Sequence, residues 1–128
     1  MKKVILLAAF IGMVVFCSSE VSAQWRSLGF KQVDNQRDKD TFQVGESRGQ
    51  FRSIQFRAIR ANVRISRVVV HYGNDQRVEL DAPDLIRAGA RSRALDLKGE
   101  RRRIHSVEIW YRSTGAGGRK AYVYLYGR

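Results

Sequence analysis

From residue 24 onward, apolar and polar side chains alternate with a period of two in short runs, and Gly, Asn and Asp clusters interrupt them about every 8–12 residues. Successive side chains of a strand point to opposite faces, so each such run can bury only one side. That pattern specifies an all-β sandwich or barrel. The last run is the cleanest, with Ala121, Val123 and Leu125 against Tyr122, Tyr124 and Tyr126. In 51–59, Ile54, Phe56 and Ala58 point one way and Ser53, Gln55 and Arg57 the other. The run 63–72 changes parity: Val63 and Ile65 share one face, and Val68, Val70 and Tyr72 share the other. A bulge near Ser66 and Arg67 would return both sets to the core, whereas a strand covered on both sides would need none.

The remaining strands are read at 25–30, 41–44, 77–80, 93–97 and 102–112, which gives about eight in one antiparallel β-sandwich or jelly-roll-like domain over 24–128. Residues 34–40 and Gly73-Asn74-Asp75 have turn chemistry, the second joining 63–72 to 77–80 as a hairpin. Residues 98–100 and 113–118 are read as further hairpin connections. The segment 82–89, with Pro83 near its start and Gly89 at its end, is read as one or two helical turns.

Residues 1–23 have the layout of a signal peptide. Lys2 and Lys3 precede an apolar stretch at 4–16, broken only by Gly12. A membrane-spanning helix needs about 20 residues, so an uncleaved anchor is the weaker alternative. Val21-Ser22-Ala23 places compact residues at −3 and −1, and cleavage is expected after Ala23. Phe16 argues against a lipoprotein acylated at Cys17, because a small residue normally precedes that cysteine. Starting at Gln24, the domain is expected to be periplasmic or secreted. It then contains no cysteine, although such a compartment permits disulfides.

The full chain carries 24 basic and 12 acidic residues, for a net charge of +12. Removing Lys2, Lys3 and Glu20 leaves 22 and 11, hence +11 on the domain, and 18 of those 22 are Arg. Arg suits bidentate recognition of phosphate and carboxylate, but a GC-rich genome would enrich it as well. With 128 residues and 44% hydrophobic content, the chain is one packed domain, which excludes a large multi-domain enzyme and a disordered polycation. The charge points to anionic partners: lipopolysaccharide phosphates, lipid headgroups, an acidic polysaccharide, or an envelope protein. Nucleic acid suits the charge but not the compartment.

Residue chemistry gives no catalytic centre. His71 and His105 sit inside strands, and His105 points outward with no partner evident in sequence. Asp34, Asp38 and Asp40 lack the glycine and closing glutamate of a calcium loop, and Arg37 and Lys39 would neutralise them. Gly115–Gly118 precedes a strand rather than a helix, so it is not a phosphate cradle. No catalytic residue, metal or cofactor is expected, and a non-enzymatic binding domain is the leading reading; a hydrolase would require a site of unrecognised type.

Two surfaces are candidates. Arg87, Arg91 and Arg93 flank the Gly89 turn, and Arg101, Arg102 and Arg103 open the next strand. Pairing of 93–97 with 102–112 would merge them into one anion-binding patch, whereas scattered arginines would simply protect strand edges. Trp110 could lie across from Tyr122 and form an aromatic face with Tyr124 and Tyr126, suited to sugar rings and to a carbohydrate-binding module. A register shift of one would put Trp110 in the core instead.

Trp25-x-x-Leu28-Gly29, Gly49-x-Phe51-Arg52-Ser53-Ile54, Val68-x-Val70-x-Tyr72-Gly73-Asn74, Ser92-Arg93-Ala94-Leu95-Asp96-Leu97 and Arg102-x-Ile104-x-x-Val107 together resemble a family of small exported bacterial β-domains of unknown function. The resemblance spans nearly all of 24–128 and implies the fold. It brings no catalytic residue, cofactor or ligand. Asn74-Asp75 stands where that pattern would have Asn-Gly, which leaves the hairpin type open.

Overall fold

The computed structural model describes residues 24–33, 38–113 and 120–128. The expected signal peptide, residues 34–37 and the glycine-rich segment 114–119 lie outside the described residues. The described chain is all β: β1 (Arg26–Val33), β2 (Asp38–Gln43), a 3-10 turn at Glu46–Arg48, β3 (Gln50–Phe51), β4 (Ser53–Ile59), β5 (Val63–Tyr72), β6 (Arg77–Leu80), β7 (Asp84–Ile86), β8 (Leu95–Asp96), β9 (Arg102–Ser113) and β10 (Ala121–Gly127). Among the described residues no helix is long and apolar enough to cross a membrane.

The strands form two antiparallel sheets. One has the order β1-β10-β4-β8. The other has β2-β9-β5-β6, with β3 also on β9 and β7 also on β5. Their facing sides bury Leu28, Phe56, Val123 and Leu125 from the first sheet against Phe42, Val68, Val70, Ile104 and Ile109 from the second. The Phe42 and Phe56 rings join the two layers at 6.3 Å.

The parity change in β5 is a bulge. Its register against β9 slips between Ile65 and Arg67, and Val63, Ile65, Val68 and Val70 are all buried in the one core. A second slip, opposite His71 and Tyr72, lets Ile104 and Val107 of β9 share that core as well. The β5–β6 hairpin forms at Gly73-Asn74-Asp75, closed by Tyr72 N–H on the Gln76 carbonyl at 2.8 Å.

Four local expectations are corrected. Residues 82–89 are not helical: Asp84–Ile86 is β7, paired with Val63–Ile65, and only Ile86 is buried. One apolar contact is too little for a helix to dock, whereas the free edge of β5 takes up the backbone directly. The segment 93–97 does not pair with β9, because Leu95 and Asp96 join Ile54 and Ser53 in the other sheet. Likewise β9 and β10 are not a hairpin, because they belong to different sheets. Residues 38–40, read as part of a turn, begin β2. There the buried Tyr111 hydroxyl donates to Asp40, and burial together with the charges of Asp40 and Asp38 pushes its pKa far up.

Candidate functional site

The outer side of the four-stranded sheet gathers three strands that are far apart in sequence. Across β1, β10 and β4, Phe30 faces Tyr124 and Arg57, Gln32 faces Tyr122 and Ile59, and Ser27 faces Tyr126 and Gln55. Alternation puts Tyr122, Tyr124 and Tyr126 outward because Ala121, Val123 and Leu125 fill the core. Phe30 is 59% exposed, an unusual position for a large apolar ring, and it packs beside Tyr124 at 5.2 Å. Arginines lie over two of the tyrosines: Arg60 over Tyr122 at 5.4 Å and Arg91 over Tyr126 at 4.7 Å. Arg91 also donates to Gln55.

Arg57 and Arg91 are paired directly across an isolated β-bridge. Like charges in that relation repel. The Nε of Arg57 is moreover buried without a hydrogen-bond partner. No carboxylate occupies the outward positions of β1, β10 or β4. Asp96 of β8 lies opposite Ser53, whose hydroxyl it accepts, four residues along β4 from Arg57 or about 13 Å of strand. That separation exceeds a Debye length of about 8 Å.

The six-stranded sheet is arranged the opposite way. Ion pairs join Lys39 to Glu108, Arg67 to Glu79 and Arg64 to Asp84, and the rings of His71 and His105 lie against the carboxylates of Glu108 and Glu46. None of these pairs includes Arg57, Arg60 or Arg91. Burial alone would raise the Glu108 carboxyl, but the hydrogen bonds and charges of His71 and Lys39 outweigh it and hold the pKa below the usual range. The stability from Glu108 is therefore complete above an unfolded pKa near ~4.3 and is lost as pH falls through the lower folded value. Glu108→Gln is expected to cost about 0.5–1 kcal/mol at neutral pH, with the deficit vanishing in acid, as measured by urea unfolding across pH.

Trp110 belongs to this second sheet, between Lys39 at 5.0 Å and Arg67 at 4.5 Å, so it is not part of the tyrosine face. The register expected for it required the β9–β10 hairpin that does not form. The six expected arginines also divide. Arg101, Arg102 and Arg103 line one cavity of ≈ 300 Å³ at the end of the sandwich. Arg93 lines another cavity and donates to the Asp81 and Ala82 carbonyls. Arg91 joins the tyrosines, and Arg87 closes the turn before Gly89, where its carbonyl accepts the Ala90 N–H. Phe30, Arg57 and Arg60 were missed in sequence. Their outward parity is legible, but the strands that flank β10 are not.

A family model described as "Domain of unknown function (DUF2541)" matches residues 4–127. The chain belongs to that family. No curated protein and no solved structure matches it. Membership in DUF2541 agrees with the expected resemblance to a family of unknown function and brings no reaction or ligand, so the site rests on its own geometry.

Chemically, the DUF2541 face combines guanidinium groups held against aromatic rings with unused N–H donors, and among the described residues no carboxylate occupies an outward position of β1, β10 or β4. Stacking on Tyr122 and Tyr126 orders Arg60 and Arg91 before any ligand arrives, which lowers the entropy lost on binding. Among the described residues no cluster of three or more His, Cys, Asp or Glu is placed to hold a metal ion. His71 and His105 each pair with a glutamate, a partnership their sequence positions did not reveal.

Proposed function

We propose that this is an exported, non-enzymatic binding domain whose outer β1-β10-β4 face takes an acidic polysaccharide of the cell envelope. The observation that carries the reading is the juxtaposition of Arg57 and Arg91 with no carboxylate, among the described residues, at the outward positions of those three strands. A second copy of the chain would place arginines against arginines, so self-association through this face is disfavoured. An anionic ligand supplies the missing charge, and Phe30 and Tyr124 offer apolar surface to the sugar rings between its carboxylates. A neutral carbohydrate fits less well, since guanidinium groups already lie over Tyr122 and Tyr126.

Calorimetry with polygalacturonate and with dextran of similar length tests this. Polygalacturonate is expected to bind, weakening at least about tenfold between roughly 0.05 and 0.5 M salt as screening shortens the reach of the arginines. Dextran is expected not to bind. Equal, salt-independent binding of both would replace this reading with a neutral carbohydrate module. Binding only to phosphatidylglycerol vesicles would transfer the site to lipid headgroups.

A further inference from the structure

We infer that the cavity at the start of β9 is a second and separate site, for a small molecule carrying one phosphate or carboxylate group together with a hydroxyl or ammonium donor. It is a pocket of ≈ 300 Å³, at the lower end of ligand-site sizes and too small for the body of a polymer. Its walls come from the 3-10 turn, the β5–β6 hairpin and the first residues of β9, including Glu46, Gly73, Asn74 and the three consecutive arginines.

The arginines differ in what holds them. Arg102 lies over the Tyr72 ring at 4.0 Å and donates to Gln76 and to the Lys98 carbonyl. Arg103 donates to the Glu46 carbonyl at 3.0 Å, and its own carbonyl accepts the Gly73 N–H at 2.9 Å. Two of the guanidinium groups are thus anchored while their other donors stay available. Arg101 is exposed and makes no hydrogen bond or ion pair with the described residues. Three guanidinium groups around one cavity attract an oxyanion, and Arg offers it paired donors.

Glu46 narrows the ligand class. Its Cγ would lie 2.8 Å from a Cβ at position 73, so Gly73 is what allows Glu46 to pack against the hairpin at this wall. His105 contacts only one of its carboxylate oxygens, at 3.3 Å. A carboxylate beside the arginines repels a second acidic group on the ligand and accepts a hydrogen bond from a hydroxyl or ammonium group. A short molecule with an acid at one end and a donor near it satisfies both.

Backbone amide shifts in NMR titrations of the whole domain test the site, with glycerol phosphate, lactate and malonate as probes. Glycerol phosphate or lactate is expected to move the amides of Gly73, Asn74 and Arg103. Malonate, with two carboxylates and no donor, is expected to bind about tenfold more weakly than lactate. Arg101→Ala, which removes no internal bond, is expected to weaken lactate or glycerol phosphate about tenfold. Glu46→Gln is expected to abolish the discrimination against malonate. Arg57→Met should leave these titrations unchanged, which separates this site from the polysaccharide face. Absence of any shift at tens of millimolar probe, or an unchanged affinity in Arg101→Ala, overturns the inference.

Discussion

Replacing Arg57 and Arg91 together by methionine is expected to weaken polygalacturonate binding by about 100-fold or more while leaving the fold at least as stable. Each charge-assisted hydrogen bond to an anion contributes roughly 1.5–3 kcal/mol, so two lost contacts amount to two to four decades of affinity. Stability moves the other way at Arg57. Methionine keeps the length of the aliphatic stem, removes a buried Nε that has no partner, and relieves the repulsion across the bridge to Arg91. The unpartnered donor alone accounts for about 1–3 kcal/mol. At Arg91 the loss of the Gln55 hydrogen bond and of the contact with Tyr126 offsets part of that gain. Urea unfolding and calorimetry on the same samples decide the matter. A double variant that unfolds more easily, or that still binds like the unmodified protein, would show that the two arginines serve the fold.

Phe56→Ala is expected to be the most damaging single change, at about 3–5 kcal/mol, or a fall in Tm of roughly 15–30 °C. Phe56 is 0% exposed and stands in β4, where its ring meets Phe42 of the opposite sheet. Removing it opens a void at the contact that joins the two layers. A domain of this size holds only about 5–15 kcal/mol in total. The chain has one cysteine, Cys17, so no disulfide limits the loss. Phe30→Ala, which removes an exposed ring on the outer face, should stay within about 0.5 kcal/mol. Thermal melts of the two variants separate core from face. Equal losses would mean that Phe30 is part of the packing.

What could be read in the sequence was whatever depends on neighbours along the chain. The alternation in 121–126 assigned each tyrosine to a face, and the parity break at Ser66 and Arg67 left a bulge as one of two readings, the one the register against β9 shows. The unresolved part was pairing between distant strands. Residues 98–100 look like a hairpin turn, yet they carry the chain from one sheet to the other, with Gly99 and Glu100 both at positive φ. Trp110 followed from the same kind of local inference and was placed with the wrong partners. Arg57 and Arg91 are 34 positions apart, and Phe30 comes from the opposite edge of the sheet, so no spacing rule links them to Tyr124. In 82–89, proline and glycine punctuation imitated helix boundaries around a strand that exists only because β5 has a free edge there.

The pairing of β1 with β10 sets an order of events for the growing chain. Among the described residues β1 has its one ladder with the last strand, and β10 is also what separates β1 from β4. Until residues 121–127 are available, one sheet lacks its middle and the other has little to pack against. Such non-local closure places folding among the slower all-β domains, in roughly the millisecond-to-second range. The domain thus stays pliable until its first and last strands meet, and only then becomes rigid.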